Sequence, residues 1–185
     1  LVKEFIPGLK RLIFISDRRY VSTWLRDEME KHMETSFPEG KVDFYTEGSC
    51  SMDSLMAVLS EKDPHRATAV MYYSWITEKP FLNHSLLYST LYQGIKGISR
   101  HPVFSLYDMG VEEGYTIGGY YNSAKTIETA LIPLLQQVYN GEDMGKIPVS
   151  TVDDPHKYLN YVSLISAISN EDNFPRDAIY LNAPP

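Results

Sequence analysis

The residues of this chain that could do chemistry are few, and they gather where apolar runs end. "LKRLIFISD" closes on Asp17 and is followed at once by Arg18 and Arg19. Two guanidinium groups beside a carboxylate can grip a polar or anionic ligand in bidentate fashion. A solvated charge pair is the competing reading for the two arginines. Ser74 and Trp75 close a later run, "ATAVMYYSW". An exposed indole there would stack on a ring or a sugar, and the alternative packs it under the next loop. "EGSCSMD" sets Ser49 and Cys50 ahead of a helix start, a setting that lowers a thiol pKa. No histidine stands at a spacing that ties it to Cys50, so capping serines in a loop explain the segment better.

The five histidines (His32, His65, His84, His101, His156) are scattered, and "DDPHK" around His156 reads as a turn rather than a metal site. No cofactor and no metal are expected to be needed for folding. Asp17 sits where a phosphorylated receiver domain carries acidic residues, but the end of the third strand holds Tyr73, Ser74 and Trp75 instead of an aspartate. "SDRRYVS" has no glycine for a dinucleotide turn, and there is no phosphate-binding loop. A hydrolase whose acid and base meet only in space would leave no mark in sequence. The net charge of -7, with no long basic run, argues against nucleic acid as a partner. One cysteine excludes an internal disulfide. The apolar runs "RLIFIS" and "ALIPLL" fall far short of the ~20 residues that cross a bilayer. "LVKEFIPGLKRLIFISD" places a buried strand almost at the first residue, which reads as a piece of a longer protein.

The elements that must position these residues alternate. Strands are expected at 9–17, 41–48, 67–75 and 102–108, with a fifth at 115–121. Helices are expected over "YVSTWLRDEMEKHME", with Val21, Trp24, Leu25, Met29 and Met33 at helical spacing, over "SMDSLMAVLSEK" with Ser51 as N-cap and Asp53 in the first turn, and over 83–98. This order predicts an α/β fold with a mostly parallel sheet flanked by helices. In such sheets ligands bind beyond the carboxyl ends of the strands. That rule selects Asp17, Arg19, Tyr20, Ser74, Trp75, Asp108 and Tyr120 as the ligand-binding face. Several of the fourteen tyrosines fall at the same ends, which suits a small-molecule cleft.

"GGYYNSAKTIETALIPLLQQVYNGEDMGKIPV", 118–149, predicts a strand, then one long helix at about 123–139 stopped by Asn140 and Gly141. Ile127, Leu131, Leu134, Leu135 and Val138 make an apolar stripe along it, and Pro133 lies inside it. Adjacent glycines allow a close approach of backbone to something, and adjacent tyrosines face opposite sides of a strand. A short helix is expected near 161–169 and an irregular stretch after it.

The segment "PVFSLYDMGVEEGYTIGGYYNSAKTIETALIPLLQQVYNGEDMGKIPV", with "KYLNYVSLISAIS", "FPRDAIYLN" and the upstream "PGLKRLIFISD", resembles the periplasmic-binding-protein-like family related to ABC-transporter substrate-binding proteins. Within it the chain looks closest to the extracytoplasmic sensor domains of bacterial two-component histidine kinases. The resemblance implies a type I two-lobed clamshell in which residues 1–114 form an α/β ligand-binding lobe. It implies a hinge strand and crossover helix at 115–144, and a return segment at 145–185 that completes the lobe. Most of the first lobe would lie outside this chain. The implied role is small-molecule sensing without enzymatic activity in the segment itself, in the periplasmic part of an inner-membrane protein. A transporter solute-binding protein and an α/β enzyme are the alternatives. With the first lobe missing, the helix at 123–139 would fold back on its own lobe or, as the preferred expectation, dock on a second copy as an exchanged homodimer.

Overall fold

A computed structural model describes residues 1–75, 92–148, 151–168 and 174–185. A short helix α1 (Val2–Phe5) leads into β1 (Arg11–Ser16), α2 (Tyr20–Ser36), β2 (Lys41–Thr46), α3 (Met52–Leu59) and β3 (Thr68–Tyr72). A helical stretch, α4, is described over 92–98. The remainder of the helix expected from residue 83 lies outside the described residues. Then come β4 (Val103–Ser105), β5 (Gly118–Tyr121), α5 (Ala124–Tyr139), a 3-10 turn at Met144–Lys146, β6 (His156–Asn160), α6 (Tyr161–Ala167) and β7 (Ala178–Leu181).

The first four strands form one parallel sheet in the order β2-β1-β3-β4. β1 is buried at five consecutive positions because both faces of the sheet are covered. Side chains alternate across it: Ile13 and Ile15 join Val70, Tyr72 and the α3 residues Leu55 and Leu59 on one side. Leu12 joins Ala69, Phe104, Phe5, Phe37 and Leu164 on the other. Ser51 caps α3 as expected, accepting a hydrogen bond from the Ser54 N–H at 3.1 Å. α2 also forms, but Val21 and Trp24 of its expected apolar spacing are exposed, and only Ser22 is buried.

β5 belongs to a second, three-stranded sheet, antiparallel to β6, which is parallel to β7. β7 lies in the stretch expected to be irregular: pairing with β6 converts "AIYL" into a strand, a tertiary contact that local sequence does not announce. β5 runs against the edge of the first sheet, with the Ile117 N–H donating to the Val103 carbonyl at 2.7 Å. This explains the paired glycines. An ideal Cβ on Gly118 would stand 2.0 Å from the Tyr158 carbonyl oxygen, and one on Gly119 would stand 2.0 Å from the Ser105 carbonyl oxygen. Gly118 also has φ +137. The close approach is therefore to flanking backbone on both sides. As expected, the two tyrosines that follow diverge: Tyr120 is exposed and Tyr121 is buried. Gly118→Ala and Gly119→Ala should each destabilise the chain by roughly 1–3 kcal/mol, by overpacking at both and by the positive φ at Gly118. Urea unfolding checks this, and a loss below about 0.5 kcal/mol would contradict so close a backbone approach.

α5 begins at the Ser123 N-cap, runs through Pro133 and ends at Asn140, with Gly141 at φ +86. It has no buried residue. Of the expected stripe, Ile127, Leu131, Leu135 and Val138 are exposed and Leu134 is half-buried, so the helix does not bury this stripe on its own sheet. The apolar stripe forms and stands mostly uncovered in this chain.

Candidate functional site

The carboxyl edge of the first sheet carries one tightly built polar cluster. β1 ends at Ser16, and Asp17 turns inward, its side chain fully buried. One carboxylate oxygen accepts from the Arg19 N–H at 3.1 Å and from the Ser22 hydroxyl. The other accepts from Arg19 Nε at 2.9 Å and from the Ser74 hydroxyl at 2.8 Å. The cluster thus ties the end of β1 to the first turn of α2 and to the segment after β3. Burial pushes the Asp17 carboxyl up, but the bonds from Arg19, Ser22 and Ser74 outweigh it and hold the group below the usual carboxylate range. With four donors on two oxygens, Asp17 fixes the positions of its neighbours rather than offering itself to a ligand.

Around it the edge is aromatic and charged. Arg18 reaches Glu47 at 3.6 Å across the ends of β1 and β2. Tyr73 and Tyr107, just past β3 and β4, meet edge to face with ring centroids 5.6 Å apart. Cys50 bonds back to the Thr46 carbonyl at 3.8 Å, and burial, with the charge of Glu47, pushes its thiol pKa up. That is the opposite of an activated nucleophile.

Of the seven residues selected from sequence, Asp17, Arg19 and Ser74 are brought into direct contact. Tyr20 opens α2 beside them and is 85% exposed. Trp75 is corrected: it is only 6% exposed and packs in the core with Tyr72, Tyr92 and Ile95, so its ring is not offered for stacking. Asp108 lies two strands further along the edge, where its carboxylate accepts from the Ala124 N–H at 2.9 Å and caps the start of α5. Tyr120 is 57% exposed on β5, opposite Lys157. Its neighbour Tyr121 is buried with no hydrogen-bond partner for its hydroxyl among the described residues, and burial followed by the charge of Asp108 pushes its pKa well up.

Sequence reading missed Ser22 and Asn122. Ser22 is the one fully buried residue of a helix whose Leu25, Met29 and Met33 are half-buried, and a hydroxyl five residues after a strand-ending aspartate is its only signal. Asn122 donates to the Val152 carbonyl at 2.7 Å and accepts from the Asp154 N–H at 3.1 Å, binding the exit of β5 to the returning chain. Asn160 plays a similar part from β6: it caps α6 through the Ser163 N–H and donates to the Val111 and Glu112 carbonyls. Among the described residues no group of three or more His, Cys, Asp or Glu could hold a metal ion. Among them, too, no helix is long and apolar enough to cross a membrane.

No protein-family pattern matches the chain, and no curated protein matches it. Solved structures do. A substrate-binding protein with adhesive properties from Clostridium difficile, in its ligand-free open form, superposes with a TM-score of 0.68 at 16% identity. That alignment covers 100% of this chain and 58% of the other. The ABC domain from Streptococcus pneumonia in complex with L-Trp superposes with a TM-score of 0.66 at 15% identity, over 98% of this chain and 59% of that one. The chain therefore spans less than two thirds of the length of either, and within that span it has the α/β fold, a parallel sheet flanked by helices, of substrate-binding proteins.

Proposed function

We propose that this chain is the second lobe of a non-enzymatic, periplasmic-binding-protein-like module, and that it contributes one wall of a small-molecule cleft at the carboxyl edge of its sheet. The observation that carries the reading is the half-buried Tyr73–Tyr107 pair at that edge, beside the loops that the Asp17–Arg19–Ser22–Ser74 cluster holds in place. Residues 1–114 would form the lobe, 115–144 the hinge strand and crossover helix, and 145–185 the return. The chain beyond these residues would supply the opposite wall. Its place would be extracytoplasmic.

Two roles use such a cleft. Solute delivery to an ABC transporter has the better support, since substrate-binding proteins are what the fold resembles. A sensor domain of a two-component histidine kinase is the second, and it rests on the sequence resemblance alone. A transmembrane helix and kinase core in the full-length sequence would decide for the sensor, and a transporter operon for delivery.

One neighbour was solved with L-Trp, and the Tyr73–Tyr107 pair suits a flat ring, so the first probes are L-amino acids. A thermal-shift panel of the twenty amino acids on the full-length protein is expected to raise the midpoint with an aromatic member, by mass action on the folded state. Tyr73→Ala with Tyr107→Ala should weaken that ligand by about tenfold or more. Unchanged affinity in the double variant would remove the cleft from this edge.

A further inference from the structure

A cavity of about 680 Å³ lies at the opposite, amino edge of the first sheet, well away from the Asp17 cluster. It opens between the turn before β3, the end of α4 and the C-terminal part of α6. Its size falls in the range of drug-sized ligand sites, roughly 300–1,000 Å³. Its apolar lining comes from Phe5, Ile6, Val103, Ile117 and Ala167.

One wall is cationic in a protein of net charge -7. Arg66, Lys96 and Arg100 line it, and none of the three makes an ion pair with a described residue. Seven of the other described arginines and lysines are ion-paired, among them Arg11 with Asp43 and Glu61 and Lys157 with Glu4 and Asp177. The single carboxylate on the wall, Asp63, is turned to the backbone, accepting from the Thr68 N–H at 2.7 Å and the His65 N–H at 3.2 Å. Two further lining residues, His101 and Thr116, are buried, and the Thr116 hydroxyl has no hydrogen-bond partner among the described residues. Burial lowers the His101 pKa, so the positive charge of the wall comes from Arg66, Lys96 and Arg100.

We propose that this cavity is a second binding site, separate from the carboxyl-edge cleft, for an amphipathic carboxylate. The apolar body would lie against Phe5, Ile117 and Ala167, and the carboxylate head would meet Lys96 and Arg100. Cations without an ion-pair partner among the described residues, at the mouth of an apolar cavity, are complementary to that one class. An anion with an apolar tail satisfies both halves, whereas a neutral tail leaves the cations in water and a bare anion leaves the floor wet.

The test uses sodium octanoate and 1-octanol as probes, titrated calorimetrically into the 185-residue chain. Octanoate is expected to bind saturably, at least about tenfold more tightly than 1-octanol. Lys96→Glu with Arg100→Glu should weaken octanoate by about tenfold or more, and so should Ser166→Trp, which fills the floor from an exposed helix position. All three substitutions are at exposed positions, so unfolding midpoints should hold. Tyr73→Ala, at the other edge, should leave octanoate affinity unchanged. Failure to bind octanoate, equal affinity for 1-octanol, indifference to the charge reversal and to Ser166→Trp, or sensitivity to Tyr73→Ala would each overturn the proposal. Because these readouts are independent of amino-acid binding, their failure leaves the carboxyl-edge reading standing, and the reverse also holds.

Discussion

Asp17→Ala is expected to cost the fold roughly 2–4 kcal/mol, the largest single-residue loss outside the apolar core. The carboxylate is the common acceptor for Arg19, Ser22 and Ser74, and removing it takes the acceptor from two buried hydroxyls. Arg19 is half exposed and recovers its hydration, which keeps the loss below that of a fully buried ion pair. Asp17→Asn keeps the shape but sets an amide N–H₂ against donors, so it should lose about half as much. The pH dependence has a definite sign. The folded-state pKa is lowered, so the stabilisation is present above the unfolded value of about 3.9 and fades as pH falls through the folded value. Urea midpoints of wild type and Asp17→Ala should therefore differ most at neutral pH and converge in acid. A constant gap down to the lowest accessible pH would mean that the carboxylate charge is not what the cluster uses.

The second large effect belongs to α5. Leu131→Glu with Leu135→Glu should leave the stability of the 185-residue chain within about 0.5 kcal/mol, because both side chains are exposed, Leu135 at 64%. In a full-length protein that covers this stripe, the same change should cost on the order of 3 kcal/mol or more, at 1.5–3 kcal/mol for each buried leucine. The chain by itself should associate with rising concentration through the stripe, as the exchanged or docked homodimer expected from sequence, and the double substitution should return it to monomer in light scattering. A wild-type chain that stays monomeric at high concentration would contradict that second copy as the cover, and equal stability loss in both contexts would show that α5 is packed already.

The parallel sheet and its carboxyl edge are legible in sequence because they rest on local rules: apolar runs alternate with stretches of helical spacing. Ser51 announces a helix start and Gly141 a helix stop. What is not legible depends on contacts between distant segments. Trp75 reads as an exposed stacking indole because it closes an apolar run at a strand end, but the chain leaves β3 at Tyr72 and folds the indole inward beside Tyr92. β7 becomes a strand only by lying beside β6. Gly118 and Gly119 read as room for a close approach, and the room is taken by the carbonyls of Tyr158 and Ser105. Ser22 is indistinguishable from other helix hydroxyls until Asp17 turns inward to meet it. The cationic lining is hidden for the same reason: Arg66 precedes β3, Lys96 and Arg100 lie at the end of α4, and only the fold brings both segments to one cavity.

Whether ligand sits at the carboxyl edge is read most directly by hydrogen exchange with mass spectrometry on the full-length protein, with and without saturating L-tryptophan or the strongest member of the amino-acid panel. Slowed exchange is expected at 17–22, 47–50, 73–75 and 107–110, the loops at that edge, with little change at 63–68 and 98–103. Protection confined to the amino edge, or absent from the carboxyl-edge loops while the ligand is bound, would contradict a cleft there.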